Sequence, residues 1–88
     1  MNVTNSAIGY LRDLLQQATR RDDAAIRIVA SAEGWRLQVD VPRPEDATIA
    51  ESDRPILVAT PKVAEALTNM TLDSHVTKDG RRLSLQPC

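Results

Sequence analysis

One cysteine, no phenylalanine, one tryptophan, one tyrosine and three glycines occur among the 88 residues of this chain. A lone thiol, Cys88, excludes an internal disulfide. The scarcity of aromatic rings leaves the core to aliphatic side chains, and a large apolar ligand pocket would compete with that core. Charge of one sign is also lacking: eleven basic and twelve acidic residues leave a formal charge of −1. Such a balance gives no electrostatic reason to gather phosphates, so nucleic acid is not an expected partner. Arg20-Arg21 and Arg81-Arg82 look basic, yet Asp22-Asp23 and Asp79 sit beside them, as on a solvated mixed surface.

Long hydrophobic runs are missing too. Ile56-Leu57-Val58-Ala59 falls far short of the ~20 residues that span a bilayer. Met1-Asn2-Val3-Thr4 shows neither a cationic stretch nor an apolar run of the secretory kind. A cytoplasmic protein without membrane contact is therefore expected, and the glycosylation-like triplets Asn2-Val3-Thr4 and Asn69-Met70-Thr71 carry no chemical meaning. Gly9, Gly34 and Gly80 stand apart, which excludes a glycine-rich phosphate loop. Serines, one histidine and scattered aspartates are not grouped as nucleophile, base and orienter. Glu45-Asp46 and Asp22-Asp23 fall in predicted turns, where solvation explains them better than acid–base chemistry does. No enzyme is expected.

What is present reads as one domain over residues 1–88, of total stability about 4–13 kcal/mol. Ala7, Ile8, Leu11, Leu14, Leu15 and Ala18 recur at three- and four-residue spacing, the mark of a helix with one apolar face. Thr4 is suited to cap it, because its hydroxyl can accept a backbone N–H that the first turn leaves unpaired. Gly9 costs about 1 kcal/mol relative to alanine inside that helix, which points to a close neighbour. Two strands follow, Ile26 to Ala30 and Trp35 to Val41, joined by the hairpin loop Ser31-Ala32-Glu33-Gly34. In the second strand Trp35, Leu37, Val39 and Val41 alternate with Arg36, Gln38 and Asp40, which predicts a buried apolar face.

Pro42-Arg43-Pro44 then breaks the ladder. A weak strand from Thr48 to Glu51 turns at Ser52-Asp53-Arg54 into Pro55 to Ala59. Thr60 and Pro61 open a short second helix with Val63, Leu67 and Met70 on one side. Leu72 to Thr77 and Arg82 to Gln86 form a closing hairpin around Lys78-Asp79-Gly80-Arg81, with Asp79-Gly80 as its two-residue turn. The class is α+β: a small mixed, mostly antiparallel sheet or sandwich with an N-terminal helix and a short second helix.

Several of these segments resemble the A-type, or HesB-like, iron–sulfur carriers. The stretch from Ile49 to Lys62 is similar to the family segment that runs through an acidic turn and an aliphatic strand into "D-P-K-S". Leu67 and Met70-Thr71-Leu72-Asp73 look like its "L-D-G-T-x-I-D-Y", and Val3-Thr4 with Ala7 like its helix opening "L-T-x-x-A". Pro44-Glu45-Asp46 is similar to its acidic loop, and Leu83 through Pro87 to its terminal "F-x-x-N-P". The resemblance covers nearly the whole chain and rests on order and spacing, since each motif alone is explained by caps, turns and core.

Members of that family carry iron or iron–sulfur clusters through a cysteine in a "G-C-S-G" loop and a pair in a C-terminal "C-G-C". The equivalent loop here, Ser31-Ala32-Glu33-Gly34, has no cysteine and is shortened. Cys88 stands near the missing pair without its companion. A cluster needs about four strong protein ligands, chiefly thiolates. One chain supplies one and a symmetric dimer two. His75, expected opposite Ser84, would lie roughly 13 Å along the strand from Cys88.

The resemblance therefore implies a scaffold with no metal ligands and no cofactor, one that binds other proteins of iron–sulfur assembly. Glu33, Gly34, Trp35 and Arg36 form its expected partner surface. Trp35 either packs in the core or caps a partner-binding edge. A homodimer is also expected, since free strand edges favour self-association. The rival reading is a carrier of iron or a cluster that uses Cys88 in an oligomer with external thiols.

Overall fold

Thr4 starts the fold as its chemistry predicts. Its hydroxyl accepts the Ala7 N–H at 3.1 Å and donates to the Asp73 carboxylate at 2.6 Å. The computed structural model describes residues 1–87. A short strand, β1 (Asn2–Val3), precedes the capped helix α1 (Asn5–Ala18). Then follow β2 (Ala25–Ser31), β3 (Gly34–Asp40), β4 (Ala47–Glu51), β5 (Arg54–Ala59), α2 (Pro61–Ala66), β6 (Met70–Thr77) and β7 (Gly80–Pro87). β1 is too short to carry a periodic signal, and it pairs in parallel with β6.

The strands form two sheets, of order β1-β6-β7 and β3-β2-β5-β4. Neighbours pair antiparallel except β1 with β6 and β2 with β5. α1 packs against β6, β5 and β2 and so closes the space between the sheets. Leu11 and Leu15 from α1 meet Ile26 and Ile28 of β2, Leu57 of β5, Leu67 and Leu72, all nearly free of solvent. Each such side chain contributes roughly 1.5–3 kcal/mol by leaving water. The second cap also holds: Thr60 Oγ1 accepts the Val63 N–H at 3.3 Å, with Pro61 in the first position of α2.

Three local expectations change. Gly9 has no tight neighbour, because a Cβ there would meet only guanidinium ends of Arg81 and Arg12 at 3.9 and 4.0 Å. The closing hairpin turns at Lys78-Asp79, not at Asp79-Gly80, since Thr77 pairs with Gly80 and His75 with Arg82. The Thr77 hydroxyl sets this register by accepting the Asp79 N–H and donating to the Gly80 carbonyl. Gly80 takes φ +111°, a region that suits glycine. Third, Asp46 is not a solvated turn residue: its side chain is fully buried against Arg27.

Candidate functional site

The expected partner surface begins at a tight turn. Ser31 pairs with Gly34 across Ala32-Glu33, the Ser31 hydroxyl donates to the Gly34 carbonyl at 2.8 Å, and Gly34 has φ +124°. Glu33, Gly34, Trp35 and Arg36 are all exposed, at the tip of the hairpin and the start of β3.

The apolar face of β3 is not buried as the alternation predicts. Trp35 is 41% exposed, Leu37 38% and Val39 42%, and Val41, just past the end of β3, 39%. The alternation itself is real: Trp35, Leu37 and Val39 lie opposite Ala30, Ile28 and Ile26, so they share the face that forms the core. What differs is cover. β3 is the outer strand of its sheet, and α1 packs over β2 and β5 nearer the middle. An outer strand can thus point its apolar residues the right way and still leave them in water.

Beside this strip runs a groove of about 180 Å³. Ile28, Trp35 and Leu37 line one wall, and Leu83, Ser84 and Leu85 of β7 the other. β7 is itself the outer strand of the second sheet, so the groove lies where two free edges approach each other.

The far end of β3 is fixed by charges that pattern reading does not find. Arg27 Nε donates to Asp40 Oδ2 at 2.7 Å, and its two terminal nitrogens donate to the Asp46 carboxylate, one at 3.0 Å. Asp46 also accepts the Arg43 N–H at 2.8 Å. Arg27 hydrogen bonds, then the Arg43 N–H, hold the Asp46 carboxyl below the usual carboxylate range. The Val41 N–H and then Arg27 do the same for Asp40. Arg27 keeps its proton more firmly than a free guanidinium, chiefly through Asp46. The loop from Val41 to Asp46 is thereby latched to β2. The only signal in the sequence is an arginine set among Ile26, Ile28 and Val29, a position that demands a counter-charge.

As to metal, Cys88 lies outside the described residues. Among those described, no three His, Cys, Asp or Glu side chains come together in a way that could hold an ion. His75 faces Arg82 in register and reaches diagonally to the Ser84 hydroxyl, 2.8 Å from Nε2. Asp73 is engaged by the Thr4 hydroxyl and the Ser74 N–H, in that order of effect, and its carboxyl is held low. The 88 residues hold one thiol. Among the described residues, no helix is long and apolar enough to cross a membrane.

No protein-family model matches the sequence, and neither does any curated protein. The fold does have relatives among solved structures. SufA of Escherichia coli, described as involved in biosynthesis of iron–sulfur clusters, superposes with a TM-score of 0.76 at 12% identity, covering 98% of this chain and 83% of that one. A structure of IscA with a [2Fe-2S] cluster gives 0.66 at 20% identity, with the same two coverages. The chain has the fold of these iron–sulfur proteins, the HesB-like fold that the order of its segments resembles.

Proposed function

We propose that this chain is a HesB-like scaffold without cluster ligands, which acts by binding other proteins of iron–sulfur cluster assembly in the cytoplasm. The observation that carries the reading is a mismatch. The fold is shared over 98% of the chain with SufA and with IscA, while one cysteine remains in the 88 residues. A cluster draws on about four protein ligands. Function resides in sites and not in folds, so a scaffold can keep its partner-facing surfaces when a ligand set is gone. On this reading residues 1–88 act as one non-enzymatic binding domain. Its partner surface is Glu33, Gly34, Trp35 and Arg36, and exposed strand edges leave self-association open to it.

Anaerobic reconstitution with ferrous iron and sulfide tests this. The expected product carries no stoichiometric cluster and shows no thiolate-to-iron charge-transfer absorption. Stoichiometric iron and sulfide that vanish in Cys88→Ser would replace the scaffold by a carrier working through an oligomer and external thiols. Capture from the native cell, wild type against Trp35→Ala, supplies the second arm: proteins of iron–sulfur assembly are enriched only by the wild type.

A further inference from the structure

We propose that the free edge of β3 takes up an extended segment of a partner protein as an added strand, one whose residues alternate apolar with acidic. The inference rests on the protein-binding reading above and specifies the chemistry of the partner.

Of the outer strands, β1 has only two residues, and β3 is the longest one free of proline, lysine and bulges, its charges being Arg36 and an Asp40 held by Arg27. β4 is five residues long and carries a bulge between Ile49 and Ala50. β7 carries Arg81-Arg82 in its first three residues and ends at Pro87. β3 runs seven residues in unbroken register with β2, with no proline, lysine or bulge. Its core-side face is the exposed strip of Trp35, Leu37 and Val39. A strand paired to this edge would place every second side chain beside that strip, on the same face of the sheet. One of these could enter the groove, whose volume of about 180 Å³ slightly exceeds a dry ~150 Å³ cavity known to accept benzene. The groove therefore suits one phenyl or branched aliphatic group.

The intervening side chains would face Arg36. Its neighbour on β2 is Val29, and its guanidinium has no ion pair or hydrogen bond among the described residues. A carboxylate on the incoming strand would give it its first counter-charge. A second copy of the chain fits less well. Antiparallel pairing centred on Leu37 sets Arg36 against the second copy's Gln38. Centring on Arg36 opposes two guanidinium groups, and centring on Gln38 offers an Asp40 already held by Arg27.

The probe is a nine-residue peptide alternating glutamate with valine, with phenylalanine at its centre. One control replaces glutamate by lysine; another keeps the composition but groups like residues together. Trp35 is the sole tryptophan, so its emission reports binding directly. The alternating acidic peptide is expected to saturate, to shift that emission to the blue and to perturb the backbone amides of β3. Leu37→Lys should weaken it about tenfold or more. Arg36→Glu alters only an exposed side chain and should reverse the preference between the acidic and basic peptides, which keeps the test valid if Leu37→Lys does not fold. The proposal is overturned by absence of saturation at millimolar peptide, by equal binding of either control, by perturbation confined to another surface, or by a free protein that self-associates through β3. If the acidic peptide fails while partners are still captured from the cell, strand addition alone falls. If capture fails as well, the wider reading falls with it.

Discussion

Arg27 and Asp46 show how one buried charge fixes a loop. Both side chains are almost free of solvent, at 4% and 0% exposure. Removing Asp46 takes away the two-pronged partner of Arg27 and leaves it Asp40 alone, and breaking a buried pair costs several kcal/mol. The pair lies beneath a single loop, so the lower part of that range applies. Asp46→Ala is expected to lower the unfolding free energy by about 3 kcal/mol in urea titration. It should also loosen residues 41–46, visible as faster amide exchange there. Acid sensitivity follows from the same pair. The folded Asp46 carboxyl titrates below its unfolded counterpart, so its contribution is complete above the ordinary carboxylate pKa of ~3.9 and is lost as pH falls from there toward the folded value. Asp40 and Asp73 act in the same direction. Urea midpoints measured below about pH 4 should thus fall steeply in the wild type and less steeply in Asp46→Asn, because that variant has one fewer proton to take up.

At the scale of elements, the caps decide where helices start, and both were legible. Thr4 and Thr60 each precede an apolar periodicity, and the capping bond is local in sequence. Thr4 does more than cap, because it also bonds Asp73 of β6, 69 residues away. Thr4→Ala is expected to cost about 1–2 kcal/mol, and Asp73→Ala in that background should cost less than it does alone, a coupling that a double-mutant cycle would measure. Gly9 offers a gain. Its neighbours are flexible arginine ends at ordinary van der Waals distance, so Gly9→Ala should raise stability by about 1 kcal/mol through helix propensity, read as a higher melting temperature.

Elements were less legible where their neighbours decide the outcome. The period of two in β3 identified which residues share a face. Whether that face is covered depends on strand order, which places β3 outermost. The β6–β7 register slipped in the same way: Asp79-Gly80 is a strong turn signal, but the Thr77 hydroxyl captures the turn one residue earlier. Arg27 and Asp46, 19 residues apart, leave no periodic trace at all.

At the scale of the molecule, the order of elements survives at 12% and 20% identity to SufA and IscA. Caps, apolar periods and turns can be met by many side chains, whereas ligand sets demand particular ones. The core joins α1 to both sheets through aliphatic contacts, with polar ties such as Ser6–Ser74 and Arg12–Glu51 beside it. Structural metal sites contribute on the order of 10 kcal/mol to the folding of small domains, and a chelator would unfold a chain that relied on one. Here the melting temperature is expected to be the same, within about 1 °C, in excess chelator and in excess ferrous iron. A ligand bound only by the folded state raises stability by mass action, and ~1 kcal/mol corresponds to ~4–8 °C in a domain of this size. A rise of that order in iron, abolished by Cys88→Ser, would show that the single thiol recruits metal after all and would move the protein from scaffold to carrier.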